Sequence, residues 1–411
     1  MSLFSFEKNR TRVGAIVDIG SGSVLVAIVV SKIGETEPTI VWSHREHAPL
    51  RHIDTIEQSA KSVLTSLVNA LLKFDSDGRV ALSEFNKSLS ITELQVTIAA
   101  PWSYTVSKSI TYKQDQPFEI SRELVDELIR NAEKKAREEL GEHDEITKLG
   151  LSIVARTTMD TLANGYRIKE PHRQKATELI ITHASVVTQQ YLVDELEKLN
   201  QKLFSSIDMR VLSYMIGFYI VSEDLLPVTF DKCLVDVTYE ATEIGIVREG
   251  SLRYATHTPF GSFSLAREIS TVTGLPLHEA FQHLHDENFD HFLTTLSEEQ
   301  REGVGKIFES YTEKLAELFR ETGDELSIPK QILLHADLRS EPILRTMVEN
   351  AAKRVLKADP VITTATPAIL KTAFPNLLKS TPEKSTTLDT GMLLSALFFH
   401  KQGSTPSFDY L

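Results

Sequence analysis

The stretch that decides the fold is Val17-Asp18-Ile19-Gly20-Ser21-Gly22-Ser23-Val24-Leu25-Val26-Ala27-Ile28-Val29-Val30. Its two apolar runs flank a short Gly/Ser segment, a pattern that predicts two strands joined by a tight turn. The two glycines lack a Cβ atom, so we expect the turn to allow positive φ and a close approach to a ligand. Backbone N–H groups and small hydroxyls at such a tip can hold a phosphate. A plain β-hairpin with a Gly-Ser turn fits the same residues.

The first of these strands ends with an acidic residue. An ionised Asp18 only accepts hydrogen bonds, and it is well suited to hold a hydrated Mg²⁺ beside a bound phosphate. The tip hydroxyls of Ser21 and Ser23 lie next to it in the sequence. The hairpin therefore predicts a phosphate site with an associated metal ion.

Size and composition exclude several classes of protein. The chain has 411 residues, 41% of them apolar and 25% charged, which indicates a soluble protein of two or more domains. A net charge of −13 argues against a general nucleic-acid binder. The single cysteine, Cys233, excludes a disulfide framework and indicates a reducing cytosol. We expect no signal peptide, no transmembrane segment, and tails at residues 1–12 and 401–411.

A second hairpin, predicted at residues 233–247, aligns with the first without a gap. Val17-Asp18-Ile19 matches Val235-Asp236-Val237, and Ile28-Val29 matches Ile246-Val247. Similarity at this spacing indicates a duplicated domain, with chance likeness between two apolar strands as the alternative. Two similar α/β halves would face each other across a cleft, and their opposed hairpins would clamp the phosphates of a nucleotide.

The order of elements between the hairpins predicts a small α+β insert at residues 91–184. Hydrophobic periodicity elsewhere is typical of helices and strands in alternation. We predict helices at residues 56–74, 187–199, 298–321 and 388–400, and strands at residues 40–48, 94–99, 208–213 and 331–336. An insert of this size is typical of a docking surface rather than of a catalytic unit.

In these features the chain resembles the actin-like ATPase superfamily, which includes actin, heat-shock chaperones, sugar kinases and the bacterial proteins FtsA and PilM. The first phosphate motif is matched by Asp18-Ile19-Gly20-Ser21-Gly22-Ser23. The end of the FtsA insert is matched by Asn164-Gly165-Tyr166, and the Gly-led helix start by Pro259-Phe260-Gly261-Ser262. The resemblance covers most of residues 13–400 and is closest to the FtsA and PilM branch.

The resemblance implies an α/β protein with a duplicated actin-like (ribonuclease H-like) two-domain fold and a small α+β insert of the SHS2 type. The first domain would comprise residues 13–90, 185–225 and 388–400. The insert would comprise residues 91–184. The second domain would comprise residues 226–387, with a helical subdomain at residues 265–328.

The resemblance also implies binding of ATP with Mg²⁺. Asp18 and Asp236 are the catalytic candidates, and Asp18 would hold the metal ion through water. The candidate cofactor-binding residues are Asp18, Gly20, Ser21, Gly22, Ser23, Thr238, Thr242, Gly261, His335, Ala336 and Asp337.

Two motifs depart from the superfamily pattern. The second phosphate motif has no glycine, and Tyr239 and Glu240 stand at its tip. Side chains there narrow the approach, and a carboxylate repels a phosphate unless a metal ion intervenes. The strand of the adenosine motif ends in His335-Ala336-Asp337, again without glycine. The chain is therefore at most a weak ATPase, and the alternative is a pseudo-ATPase scaffold that no longer binds nucleotide.

The role implied first is that of an FtsA-like component of a bacterial division filament or scaffold, cytoplasmic and held at the inner membrane through a partner. The alternative is a PilM-like platform for type IV pilus assembly. In either role, residues 91–184 would dock a protein partner, either the division filament or an inner-membrane pilus protein. Self-association is a further expectation, and nucleic acid is not an expected partner. We expect no basic amphipathic helix of the kind with which FtsA contacts the membrane, because residues 401–411 carry one Lys, one Asp and two aromatic residues.

Overall fold

The computed structural model describes residues 11–32, 34–49, 56–140, 150–168, 170–226, 231–285, 289–322, 327–336, 341–356, 358–377, 389–402 and 409–410. Its described strands form three sheets, one in each of two similar halves and one in the insert. No helix in this part of the chain combines the length and the apolar character needed to cross a membrane.

The first half is built on a five-stranded sheet. Its strands are β1 (Thr11–Ile19), β2 (Ser23–Lys32), β3 (Thr39–His47), β4 (Glu93–Ile98) and β9 (Asp208–Ser213). Their order is β3-β2-β1-β4-β9, with the first three antiparallel and β1, β4 and β9 parallel. Strands β1 and β2 are buried on both faces, which explains their continuous apolar runs.

The second half repeats this sheet. Its strands are β10 (Lys232–Val237), β11 (Thr242–Arg248), β12 (Ser251–Thr258), β13 (Gln331–Ala336) and β14 (Val361–Thr364). Their order is β12-β11-β10-β13-β14, with the same antiparallel and parallel pairings. The duplication predicted from the sequence is confirmed.

Helices cover both sheets. Those of the first half are α1 (Ile56–Lys73), α2 (Arg79–Phe85), α4 (Gln190–Phe204), α5 (Tyr214–Leu225), α11 (Pro367–Ala373) and α12 (Thr390–Gln402). Those of the second half are α6 (Ser262–Thr273), α7 (Leu277–His283), α8 (Phe289–Thr295), α9 (Glu298–Arg320) and α10 (Glu341–Leu356). The Ser297 hydroxyl caps α9, and α6 ends at Gly274, whose φ of 73° favours glycine.

The insert has a sheet of its own. It comprises β5 (Ser103–Glu119), α3 (Arg122–Leu140), β6 (Leu151–Ala163), β7 (Tyr166–Arg167) and β8 (Lys175–Gln189). A short strand near the C-terminus, β15 (Asp409–Tyr410), pairs with the outer edge of β6.

Several boundaries differ from those expected. Strand β4 was expected to open the insert, but it pairs in parallel with β1 in the first sheet. The helix expected at residues 187–199 begins only at Gln190, because β8 continues to Gln189. The expected tails are shorter, since Thr11 starts β1 and α12 ends at Gln402. Of the remaining tail residues, 1–10, 403–408 and 411 lie outside the described residues.

The two halves share one hydrophobic core at their junction. Leu234, Val247 and Leu333 of the second sheet are buried in the same cluster as the first-half strands. Residues 365–377, expected in the second domain, also contribute Leu370 and Phe374 to this cluster. The halves are therefore packed directly on each other.

Candidate functional site

The two hairpin tips have the same construction. The N–H of Gly20 donates to the Ser23 carbonyl at 2.9 Å, and the N–H of Thr238 donates to the Ala241 carbonyl at 2.9 Å. Each tip therefore has two residues, Ser21–Gly22 in the first hairpin and Tyr239–Glu240 in the second. The aligned positions are equivalent in three dimensions, so the predicted match of the two hairpins is confirmed.

The tips bind each other. The Ser21 hydroxyl donates to the Thr238 hydroxyl at 2.7 Å and accepts from the N–H of Glu240 at 2.8 Å. The Thr238 hydroxyl donates in turn to the Ala241 carbonyl at 3.0 Å. Two hydroxyls that the sequence predicted to bind phosphate are thus used in a direct bond between the halves.

Tyr239 fills the space between the tips. It is fully buried, and a Cβ placed on Gly22 would lie 2.7 Å from the Cβ and Cγ atoms of Tyr239. Its hydroxyl lies 3.1 Å from Nδ1 of His47, and its ring packs on Phe263 with centroids 4.3 Å apart. Gly22 does not adopt positive φ. The missing Cβ of Gly22 instead lets Tyr239, rather than a ligand, pack closely against the first hairpin tip.

Glu240, at the tip of the second hairpin, forms an ion pair within its own half. Its carboxylate is held by both Nη atoms of Arg267 on α6, one of them at 2.9 Å. This pair is bidentate and largely shielded from solvent, which strengthens it. The charge that was expected to repel a phosphate is therefore already compensated.

The N-terminus of α6, where the superfamily resemblance implied phosphate contacts, is also occupied. The N–H of Ser262 donates to the Thr238 carbonyl at 3.1 Å, and the N–H of Phe263 donates to the Tyr239 carbonyl at 2.8 Å. A Cβ on Gly261 would lie 2.2 Å from the Thr238 carbonyl oxygen. Gly261 thus allows the second tip to cap α6, and these two amides are not available to an anion.

In the first half, Asp18 and Ser23 are held by neighbouring strands. Asp18 is 5% exposed and accepts a hydrogen bond from the Thr97 hydroxyl at 3.1 Å. The Ser23 hydroxyl accepts from Nη1 of Arg45 at 2.7 Å. Arg45 also forms an ion pair with Asp389, at the start of α12, with Nη2 to Oδ1 at 2.9 Å.

In the second half, Asp236 occupies the position equivalent to Asp18. It is fully buried, and its Oδ1 lies 2.7 Å from Nδ1 of His335 on β13. The Tyr214 hydroxyl of α5 lies 3.3 Å from the same nitrogen. Glu243, opposite Asp236 in the ladder, is also fully buried. Burial, and then the charge of Asp236, raise the pKa of Glu243 well above its usual value.

The other predicted residues lie apart from the tips. The Thr242 hydroxyl donates to the Phe260 carbonyl at 2.8 Å and lies 2.7 Å from the Tyr311 hydroxyl, inside the second half. Ala336 is the buried last residue of β13. Asp337 lies outside the described residues.

The residues present do not fit a nucleotide phosphate between the tips. Tyr239 stands in that space, and the hydroxyls of Ser21 and Thr238 bind each other. In the described part of the chain, no group of three His, Cys, Asp or Glu side chains is arranged to hold a metal ion. The roles of Asp18 and Asp236 in catalysis and metal binding stay predictions.

Sequence reasoning missed the residues that complete these contacts, among them His47, Arg45, Asp389, Tyr214 and Glu243. One signal was present, because Glu243 interrupts an otherwise apolar strand at a position that points into the protein. The remaining contacts join residues far apart in the chain, and no local pattern indicates them.

This architecture is the actin-like ATPase fold, and the fold predicted from the sequence is confirmed. A chain of the PilM-PilN type IV pilus biogenesis complex aligns with 97% of this chain and 100% of its own length, with a TM-score of 0.58 and 10% identity. At this identity the similarity shows a shared fold.

Two further solved structures align less closely. A Bacteroides thetaiotaomicron protein of actin-like ATPase fold aligns with 89% of this chain and 95% of its own length, with a TM-score of 0.41 and 11% identity. The ethanolamine utilization protein EutJ from Carboxydothermus hydrogenoformans aligns with 95% of this chain and 90% of its own length, with a TM-score of 0.40 and 12% identity. No protein-family profile and no curated protein sequence matches the chain.

Proposed function

We propose that the chain is a protein-docking scaffold of actin-like fold, in which a direct contact between the two hairpin tips takes the place of a nucleotide. The observation that carries this proposal is the buried ring of Tyr239, packed against Gly22. Opening a phosphate-sized gap would break the bonds from Ser21 to Thr238 and Glu240. It would also expose an aromatic side chain to water, which is unfavourable.

A thermal-shift measurement tests this proposal. A ligand that binds only the folded protein stabilises it by about 2.7 kcal/mol at a concentration of 100 times its Kd. We expect no change in the thermal midpoint of the wild type at millimolar Mg-ATP. A clear rise that disappears in Asp18→Ala and Gly22→Val would contradict the scaffold and support the ATP site predicted from the sequence.

We further propose that the docked partner is a protein segment at the inner membrane, bound from the cytoplasm through the insert. The similarity to a chain of the PilM-PilN complex supports a type IV pilus setting. An FtsA-like role in cell division is the alternative. The neighbouring genes separate the two settings, since genes for pilus inner-membrane proteins favour the first and a tubulin-like division gene favours the second.

A further inference from the structure

Four titratable side chains form a row across the second sheet. His335 on β13 is the register partner of Asp236 on β10, and Asp236 is opposite Glu243 on β11. Glu243 is in turn opposite His257 on β12. Partners in a ladder share one face of the sheet, so the four side chains lie side by side. We call them the acid–histidine row.

The row faces the first half and the insert. The rings of Tyr214 on α5 and His335 have centroids 5.5 Å apart, and those of Tyr104 on β5 and His257 are 6.1 Å apart. Gly245 follows Glu243 by two residues and shares its face of β11, and a Cβ there would lie 2.7 Å from the sulfur of Met215. The row is therefore enclosed only while the two halves are packed together.

Glu243 is the member of the row with the least compensation. Asp236 has His335 at 2.7 Å, whereas neither carboxylate oxygen of Glu243 makes a hydrogen bond of good geometry with a described residue. Burial and the nearby charge of Asp236 both raise the pKa of Glu243, and only the backbone of Ala100 acts in the opposite direction. An isolated buried carboxylate of this kind is stable chiefly in its neutral form.

The other charged groups near the row belong to a separate ion pair. Asp389 lies close enough to His335 for that side chain to help lower the pKa of Asp389, but Asp389 is bound by Arg45. The pKa of His257 is lowered by burial. Among the described residues of the row, the ionisation of Glu243 is thus the change that no cation compensates.

We propose that the acid–histidine row is a proton-dependent latch between the two halves, in which Glu243 keeps a proton while the halves are packed and loses it when they separate. Closing then takes up one proton at Glu243. An exposed Glu titrates near about 4.3. The latch is therefore complete at low pH and weakens as pH rises above that value, by up to about tenfold in the closing equilibrium per pH unit.

The titration of His257 has the opposite effect on the closing equilibrium, and it acts in a lower pH range. Its pKa is lowered in the packed protein, so closing releases a proton from it below the ordinary His value of about 6.5. Well above that pH, His257 is neutral in both states. Burial also lowers the pKa of Lys232 to about 8, so Lys232 titrates in the range from pH 6.5 to 8. Because His257 and Lys232 are present in both proteins, the difference in slope between the wild type and a Glu243→Gln variant isolates the effect of Glu243.

The test compares the thermal midpoints of the wild type and Glu243→Gln at pH 6.5 and 8. The neutral amide keeps the shape of the side chain and removes its titration. We expect the midpoint of the wild type to fall relative to that of Glu243→Gln as pH rises, because only the wild type has a Glu243 that can ionise. Glu84→Gln, an exposed change on α2, is the matched control and keeps the wild-type slope. Equal slopes in the wild type and Glu243→Gln would overturn the latch.

Amide hydrogen exchange gives a second measurement that does not depend on the Gln variant. Separation of the halves exposes β11 and α5, so their exchange in the wild type is expected to rise with pH more steeply than that of β1, after correction for intrinsic rates. A common pH dependence in all three elements would contradict the latch. If Glu243→Gln does not fold, Glu243→Leu replaces it in the thermal comparison.

Discussion

At the scale of single residues, the site depends on one close contact. Gly22 was predicted to let a ligand approach the first hairpin, and it lets Tyr239 approach instead. The second hairpin carries Tyr239 at its tip, and the first hairpin has a glycine at the position that faces this ring. Gly22 and Tyr239 are far apart in the sequence. Their contact exists only in the folded protein, where the two halves pack together.

This contact predicts the effect of Gly22→Ala. The added Cβ would stand 2.7 Å from the Tyr239 side chain, closer than carbon atoms can pack. Overpacking of a buried site costs about 1–3 kcal/mol, so we expect the free energy of unfolding to fall by that amount. Urea denaturation at neutral pH measures it.

Two comparisons make this prediction specific. Gly305→Ala on α9 adds a Cβ where no atom lies within 4 Å, and it is expected to be neutral or slightly stabilising. In a Tyr239→Gly background the cost of Gly22→Ala should disappear, because both the Cβ and the ring of Tyr239 are then absent. Additive effects of the two substitutions would show that the contact is not the cause.

At the scale of secondary-structure elements, α12 is tied to the first hairpin by an ion pair. Asp389 caps α12 through the N–H of Met392 at 3.0 Å and binds Arg45, which also holds Ser23. Burial alone would raise the pKa of Asp389, but the charge and hydrogen bonds of Arg45 lower it below its usual value. The pair therefore stabilises the fold above the ordinary Asp pKa of about 3.9 and is lost as pH falls below it.

The pair predicts a pH-dependent effect of Asp389→Asn. The amide can still cap the helix but cannot form the ion pair, so we expect a loss of about 1.5–3 kcal/mol at pH 7. The difference from the wild type should begin to shrink as pH falls toward 3.5, since Asp389 then takes up a proton in the unfolded chain while its lowered pKa keeps it ionised in the folded protein. Urea denaturation at pH 7, 5 and 3.5 measures it. Glu302→Gln, in an exposed pair with Lys306, should have a much smaller effect, because water and salt screen that pair. A difference that is constant with pH would refute this role for the pair.

The element scale also shows where sequence reasoning succeeds. Strands at residues 208–213 and 331–336 were predicted with the bounds that the structure has, because their apolar runs are flanked by clear turn or cap signals. Strand β4 was assigned to the insert although it pairs with β1. Local patterning predicts a strand, but the sheet that it joins is decided by parallel pairing across a long connection.

At the scale of the whole molecule, the internal repeat allowed the fold to be predicted. The matched triplets at Asp18 and Asp236 predict two similar α/β halves, and the structure has two sheets of the same strand order. The repeat does not predict whether the space between the two hairpin tips is open or filled. It depends on contacts between the halves, among them those of Ser21 with Thr238, Gly22 with Tyr239, and Tyr239 with His47. Such contacts leave no periodic signal in the sequence.

The central claim is that the hairpin tips bind each other without a nucleotide. A cysteine pair, Ser21→Cys with Thr238→Cys, tests it directly, because the two native hydroxyls are 2.7 Å apart and the chain's own Cys233 is buried. The two single variants and a Ser21→Cys/Glu302→Cys pair are the controls. Under mild oxidation without nucleotide, we predict that the tip pair forms a disulfide nearly completely, at a rate unchanged by millimolar Mg-ATP. Failure of the tip pair to crosslink, or crosslinking that Mg-ATP suppresses, would contradict the account.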